Sequence, residues 1–438
     1  MDIDKTTYED LAILSNNDQM GVLQKFDFTR TSSGKHWLRS YFTSPFSDLK
    51  HITDTQQILQ LILKNEHDWP AGISNGTIMV MERFYETQMD NIPETRDPVN
   101  ALMFKILHGT DYSITRYSIG HFAEFIKGMH VLIDKFDHDD CPALLRKYLQ
   151  RAKSLLAQDI IHSLGRKDQK TLYSIVQVVS YGHFIRNRFK HAALELIDIY
   201  GRLDAWYSMA LATKTFQLVY PSFIEQDEPH LEAVDLYHVL LTEPVSYSIE
   251  MQKHSNFLFL TGANMAGKST FIKAIGVAVY IAHLGMGIPA RHMRLSLFDG
   301  ILSNINVVDN ITKGESYFFN EVQRIRDTII KINDHRKWLV LIDELFKGTN
   351  VQDAMKCSST VIKGLIKIQN SLFILSTHLY EIGEELRSYP NISFKYFETS
   401  VNGDQLQFSY QLKDGISNDR LGYLILKREK VVEMLEKL

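Results

Sequence analysis

The sequence has little of several features that mark particular classes of protein. It contains two cysteines in 438 residues, Cys141 and Cys357, which lie far apart. A disulfide framework is therefore excluded, and the chain fits a reducing, cytoplasmic location. The net charge is only −4, so the overall charge does not indicate binding to nucleic acid. Binding through a local basic patch stays open. The acidic start MDIDKTTYEDLAIL lacks the apolar segment of a secretory signal, and no apolar run is long enough to span a membrane.

The pattern of apolar residues changes partway along the chain. Up to about residue 218, amphipathic segments such as residues 144–164 and 183–220 predict long helices. Beyond an acidic break between Pro221 and Pro229, short apolar runs alternate with helical segments. That alternation predicts a parallel sheet with loops gathered at the carboxyl ends of its strands. We therefore predict an all-α helical domain over residues 1–220 and an α/β domain over residues 221–438.

The stretch FLFLTGANMAGKSTFIKAIG, which begins at Phe257, carries the strongest sign of function. It fits G-x-x-x-x-G-K-[ST] and consists of an apolar strand, a Gly-rich loop and an amphipathic helix. This arrangement aims backbone N–H groups at phosphate oxygens; an ordinary turn with an exposed lysine is the alternative. We expect Lys268 to contact the β- and γ-phosphates of ATP and Ser269 to contact Mg²⁺. The predicted ATP-binding residues are Gly262, Ala263, Asn264, Met265, Ala266, Gly267, Lys268, Ser269 and Thr270.

Two further apolar runs are each followed by polar side chains. WLVLI precedes Asp343 and Glu344, and SLFIL lies just before His378. A P-loop site needs one carboxylate for Mg²⁺ and often a second to orient the attacking water. We therefore assign Asp343 to the metal and Glu344 to general-base catalysis, with His378 near the γ-phosphate or the attacking water. A solvated turn for the two acids and a structural role for the histidine are the alternatives.

A fourth segment, VVDNITKGESYFFNEVQRIRDTI, lies between the Gly-rich loop and these acids. Gly314 and Ser316 precede a helix with a regular apolar face. Ser316 either caps this helix or donates a hydrogen bond to a phosphate, including one on a neighbouring subunit.

Together these segments resemble the MutS family of DNA mismatch-repair ATPases. TGANMAGKST is similar to the family's T-G-P-N-M-G-G-K-S-T loop, IDELFKGT to its D-E-x-x-x-G-T segment and LSTH to its A-T-H switch, while DNITKGESYFFNEV resembles its signature loop. The resemblance implies an ABC-type, MutS-like P-loop ATPase domain preceded by a helical core, or lever, domain. It also implies Mg²⁺-dependent ATP hydrolysis, a homodimer formed through the ATPase domains, and a loop with Gly314 and Ser316 that completes the partner's site. DNA is then an expected partner, in mismatch repair or recombination.

The chain also departs from the family pattern. FDFTRTSSGKHWLRSYF resembles the start of the lever domain, so we expect the mismatch-recognition and connector domains to be missing. The lever region is also short for the DNA clamp that the family inserts there, and the presence of a clamp stays open. The aromatic residue that would stack on adenine does not align cleanly, and Tyr247 is the candidate. An ATP-gated dimeric scaffold that binds protein partners without DNA contact is therefore a second hypothesis. A transporter ATPase is a third, but the sequence has no L-S-G-G-Q signature.

Overall fold

The computed structural model describes residues 1–14, 20–166, 172–306, 317–402, 405–417 and 431–435. The chain forms two compact units. The sheet unit comprises Met1–Lys25, Ser44–Thr53 and Thr215–Leu438, and the helical unit comprises Phe26–Thr43 and Asp54–Lys214. Among the described residues, no helix has both the length and the apolar character needed to cross a membrane.

Helices make up most of the described residues before Thr215 and recur between the strands that follow. The α-helices are α1 (Lys5–Asp10), α2 (Val22–Lys25), α3 (Ser32–Phe42), α4 (Leu49–Lys64), α5 (Asn75–Glu86), α6 (Pro98–Leu107), α7 (Gly109–Phe136), α8 (Ala143–Leu156), α9 (Asp159–Gly165), α10 (Ile175–Asn187), α11 (Lys190–Thr215), α12 (Lys268–Ala282), α13 (Tyr317–Ile332), α14 (Val351–Leu365), α15 (Tyr380–Leu386) and α16 (Val431–Leu435), with a 3₁₀-helix at Glu66–Asp68.

The strands lie in the sheet unit. They are β1 (Asp2–Ile3), β2 (Ser222–Ile224), β3 (His230–Leu236), β4 (Tyr247–Gln252), β5 (Phe257–Thr261), β6 (His292–Ser296), β7 (Gly300–Asn304), β8 (Trp338–Asp343), β9 (Leu372–Ser376), β10 (Ile392–Asn402) and β11 (Gln405–Asp414).

The helical unit packs around α7, which contacts α5, α8, α9 and α10. The apolar side of α7 is buried, including Phe122 and Phe125. The start of α3 is tied to α11, because the buried carboxylate of Asp204 accepts hydrogen bonds from the backbone N–H of Thr31 at 2.9 Å and from its hydroxyl at 2.7 Å. Thr31 in turn accepts a hydrogen bond from Gly34 as the N-cap of α3. These contacts satisfy donors that a helix start leaves unpaired.

Both segments for which the sequence predicts a single long helix are broken in the structure. Residues 144–164 contain the end of α8 at Leu156 and the start of α9 at Asp159. Leu156 and Ile161 are both buried, yet five positions along one continuous helix would put them about 140° apart around its axis. Residues 183–220 contain a second break before α11, where Phe189 is buried and stacks on Phe184. In the sequence, apolar residues recur at helical spacing on both sides of each break, so the sequence pattern alone did not reveal where the helices end.

A seven-stranded sheet forms the centre of the sheet unit, in the order β1-β7-β8-β9-β5-β10-β11. The first six strands in this order are parallel, and β11 is antiparallel to β10. Helix α12 packs on one face of the sheet against β8 and β9. Side chains of α13, α14 and α15 share an apolar core with the other face. A smaller four-stranded sheet, β2-β6-β3-β4, completes the unit. The predicted parallel sheet is therefore present.

The first 25 residues differ from the predicted division into domains. The sequence pattern assigns residues 1–220 to the helical domain, whereas the structure places Met1–Lys25 and Ser44–Thr53 in the sheet unit. The reason is that β1 pairs with β7 as an edge strand. Asp10, the last residue of α1, adds a second link: its carboxylate accepts hydrogen bonds from the backbone N–H groups of Ile305 and Asn306, each at 3.0 Å.

Candidate functional site

The Gly-rich loop connects β5 to α12 at the carboxyl end of a fully buried strand. Gly262 has a φ of 141° and Gly267, the N-cap of α12, has a φ of 105°, conformations that glycine adopts without strain. Met265 has a φ of 67° although it carries a side chain, and strain of this kind clusters at ligand sites. The loop therefore presents backbone N–H groups and a helix N-terminus together, as a phosphate site requires.

Lys268 lies over this loop and is only 5% exposed. Its Nζ donates hydrogen bonds to the carbonyl oxygens of Gly262 at 2.8 Å and Ala263 at 3.0 Å. Burial lowers the pKa of the Lys268 ammonium, and the carboxylates of Glu344 and Asp343 partly offset that effect. The alternative of an exposed lysine on an ordinary turn does not describe this residue.

The carboxylate of Asp343 accepts hydrogen bonds from side chains at the start of α12 and at the end of β9. The hydroxyl of Ser269, in the first turn of α12, donates a hydrogen bond to Asp343 Oδ2 at 2.5 Å. The hydroxyl of Ser376, at the end of β9, donates to Asp343 Oδ1. Asp343 itself is 8% exposed. Hard oxygen donors of this kind are the ligands that Mg²⁺ prefers, so Ser269 and Asp343 fit the metal that the sequence predicts.

Glu344 and His378 contact each other beside Asp343, the predicted metal ligand. His378 Nε2 contacts Glu344 Oε1, and Lys347 Nζ lies 3.0 Å from Glu344 Oε2. Burial by itself would raise the pKa of Glu344, but the hydrogen bond and charge of His378, followed by those of Lys347, lower it to about 2. Glu344 is therefore an ionised carboxylate with a positive φ of 59°, and the two predicted catalytic side chains are in contact.

A cavity of about 450 Å³ lies at the carboxyl edge of the parallel sheet and is lined in part by Lys268, Ser269 and Glu344. Ligands of open α/β sheets bind at this edge. Its lining includes Leu241, Glu243, Val245, Tyr247, Asn264, Met265, Gly267, Lys268, Ser269, Thr270, Glu344 and Tyr410. We call it the site cavity. A second cavity, of about 540 Å³, lies at the opposite edge beside residues that precede β5, β8 and β9, and none of the predicted site residues that the structure describes lines it.

Two tyrosines line the site cavity and differ in their exposure. Tyr247, the predicted adenine-stacking residue, is 5% exposed and is packed edge-on against Phe271 and Phe397. Tyr410 on β11 is 38% exposed, and its ring lies 3.4 Å from where a Cβ on Gly267 would stand. Tyr410 therefore offers more ring surface to a ligand than Tyr247 does.

Several site residues were not found from the sequence. Ser376 and Lys347 hold the two predicted carboxylates, Tyr410 lines the cavity, and Glu321 contacts the turn after β8. The sequence analysis assigned no role to any of the four, although Ser376, Lys347 and Glu321 lie within segments that resemble family motifs. Gly314 and Ser316, the predicted residues of the trans-acting loop, lie outside the described residues.

Comparison with known proteins finds one family model that covers the part of the chain with the Gly-rich loop, and relatives that extend beyond it. The family model described as MutS domain V matches residues 258–434. The DNA mismatch repair protein MutS of Thermotoga maritima is 23% identical over 403 residues, which cover 88% of this chain and 49% of that protein. Residues 258–434 belong to the MutS domain V family. The MutS domain V match includes the Gly-rich loop, Asp343, Glu344 and His378, so these candidate site residues lie in the P-loop-type ATPase domain of this family.

Other MutS-family relatives match over about half of the chain. MutS protein homolog 4 of Homo sapiens is 29% identical over 241 residues, covering 52% of this chain and 25% of that protein. DNA mismatch repair protein spellchecker 1 of Drosophila melanogaster is 29% identical over 234 residues, with the same two shares. The chain thus matches about half of the Thermotoga relative and about a quarter of the other two.

Proposed function

We propose that this chain binds ATP and Mg²⁺ in the site cavity and hydrolyses ATP to ADP and phosphate. The observation that carries the proposal is the 2.5 Å contact between Ser269 and Asp343 beside a buried lysine. A hydroxyl after one strand and a carboxylate at the end of another converge next to a Gly-rich helix start. That combination suits a metal-bound nucleoside triphosphate.

Each residue then has a role that follows from its surroundings. Lys268 exchanges the carbonyl oxygens of Gly262 and Ala263 for phosphate oxygens, and Ser269 and Asp343 hold the metal. Glu344 orients the attacking water as an ionised base, and His378 fixes the orientation of its carboxylate. When bound, Mg²⁺ neutralises charge that develops on the transferred phosphoryl group.

We also propose that Tyr410, rather than Tyr247, stacks on the adenine ring. Tyr410 is the more exposed of the two tyrosines in the site cavity, and the exposed Val245 and Leu241 line the same space. Purine rings bind between aromatic and aliphatic side chains of this kind.

The test is phosphate release by the purified chain, with Mg²⁺ and with excess EDTA. We expect turnover only with Mg²⁺, and its loss in Lys268→Ala and in Asp343→Asn. Lys273→Ala is the matched control, because Lys273 lies in the same helix and is not among the residues lining the site cavity. Turnover in Lys268→Ala equal to that of the control, in a folded protein, would reject the site.

A role on DNA is a further proposal that depends on the relatives. Those from Thermotoga and Drosophila are named as DNA mismatch repair proteins. We propose that this chain likewise acts in mismatch repair or recombination, as a homodimer formed through the ATPase domain. Duplex binding measured over a salt series, with and without a non-hydrolysable ATP analogue, tests the proposal. Binding that weakens steeply with salt supports it, and no binding at low salt favours the protein scaffold.

A further inference from the structure

The turn that follows β8 is held by a buried acid from outside the site cavity. Glu321 on α13 is 4% exposed. Its carboxylate accepts hydrogen bonds from the backbone N–H groups of Lys347 at 3.3 Å and Gly348 at 3.4 Å. A buried carboxylate is stable only with such partners, and these two come from consecutive residues of one turn.

This turn needs external support because its backbone is strained. Glu344 and Phe346 have positive φ values of 59° and 62°, and side-chain-bearing residues persist there only when their surroundings enforce the conformation. The ring of Phe318 on α13 also packs against Phe346, with ring centroids 5.7 Å apart. Lys347, whose N–H binds Glu321, places its own ammonium 3.0 Å from the Glu344 carboxylate.

Helix α13 is itself anchored one turn further on. Arg324 donates hydrogen bonds to the carbonyl oxygen of Ser303 at 2.7 Å and to Asn304 Oδ1 at 2.6 Å. It also forms an ion pair with Asp4 at 2.7 Å. The helix that carries Glu321 is thus bonded to the end of β7 and to the N-terminal segment, and these contacts hold Glu321 in position beside the turn.

We propose that Glu321 is a positioning residue for Glu344: by holding the N–H groups of Lys347 and Gly348, it fixes the turn that aims the Glu344 carboxylate into the site cavity. The proposal rests on the ATPase function proposed above. Glu321 touches neither substrate nor metal in this account, and it acts only through the turn.

The experiment is a double-mutant cycle in the full chain. Glu321→Gln keeps the shape of the side chain but replaces one acceptor oxygen with an amide that cannot accept. We expect kcat to fall about tenfold or more, as small misplacements of a catalytic group do, with KM for ATP unchanged. Added to Glu344→Gln, the same change should cost nothing further. Asp327→Asn, an exposed acid on the same helix, is the matched control and should behave like wild type.

Two outcomes would overturn the proposal. The first is an equal fold-loss of turnover from Glu321→Gln in the wild-type and Glu344→Gln backgrounds, which indicates a general structural role. The second is unchanged amide hydrogen exchange in peptides covering residues 345–349, since the proposal requires faster exchange there in Glu321→Gln. The exchange measurement does not depend on activity. A wild-type chain that hydrolyses no ATP would reject the proposed function, while faster exchange would still establish that Glu321 holds the turn.

Discussion

A water-orienting carboxylate must stay ionised at neutral pH, and the surroundings of Glu344 ensure this. Burial opposes ionisation, yet His378 and Lys347 lower its pKa to about 2. We predict that Glu344→Gln binds ATP as tightly as wild type but turns over about 10²–10⁴-fold more slowly, because general-base assistance is lost while phosphate and metal contacts remain. Equilibrium binding of a fluorescent ATP analogue and single-turnover hydrolysis measure the two quantities. Matching losses in both would show that Glu344 has a different role.

A second prediction at this scale concerns Asp4 and pH. Burial would raise the pKa of Asp4, but hydrogen bonds from Arg324 and Thr7 lower it from 3.8 to about 2. A depressed folded-state pKa gives stability that is present above the unfolded pKa and is lost as pH falls through the folded pKa. Wild type should therefore exceed Asp4→Asn in free energy of unfolding by about 1 kcal/mol near pH 6, allowing for solvent screening. Urea titrations should show this difference shrinking as pH falls from about 5 to about 2, and a constant difference would contradict the assignment.

Sequence motifs indicated the candidate site residues that have a local pattern, and gave no role to others that the fold brings beside them. Each of these candidates ends or closely follows a buried strand, so a short window of sequence defines its setting; they are Lys268, Ser269, Asp343, Glu344 and His378. Ser376 lies in LSTH and Glu321 in DNITKGESYFFNEV, but neither motif indicates which groups these side chains contact. A serine at a strand end and a glutamate on a helix become informative only when the packing shows which carboxylate or N–H groups they contact.

At the scale of elements, helix α3 depends on one buried acid from a distant helix. Asp204 on α11 accepts hydrogen bonds from Thr31 and from the backbone N–H of Arg30. Asp204→Ala leaves the two buried donors of Thr31 unpaired and removes the acceptor of Arg30, so we expect a loss of about 2–4 kcal/mol in the free energy of unfolding. Chemical denaturation followed by circular dichroism measures it. Asp134→Ala, at an exposed position on α7, should cost far less, and equal losses would refute the capping role.

Helix breaks were the least predictable feature of the elements. The apolar pattern of residues 144–164 and 183–220 favours continuous helices, and no proline or glycine marks either break. Tertiary packing buries Ile161 and Phe189, which lie just after the two helix ends. The buried strands β5, β8 and β9 were predictable, since each is a short apolar run followed by polar residues.

At the scale of the whole molecule, the sheet unit is assembled from three separated parts of the chain. The N-terminal part contributes β1 and Asp10, which is 1% exposed and binds the end of β7. We predict that Asp10→Ala destabilises the sheet unit by about 2–4 kcal/mol, because two backbone donors and the hydroxyl of Ser303 lose their acceptor. Thermal unfolding with and without ATP measures the effect. Glu9→Ala, at an exposed position, is the control, and similar melting of both variants would contradict it.

The central claim is that the site cavity holds ATP and Mg²⁺ through Lys268, Ser269 and Asp343. The most direct measurement is a crystal structure of Glu344→Gln grown with ATP and Mg²⁺. The account predicts Mg²⁺ about 2.0–2.1 Å from Ser269 Oγ, or bridged by water to Asp343, and Lys268 Nζ moved from the carbonyl oxygens of Gly262 and Ala263 onto the phosphates. Nucleotide bound in the cavity at the opposite edge of the sheet, or Lys268 still bonded to those carbonyls beside a bound triphosphate, would contradict it.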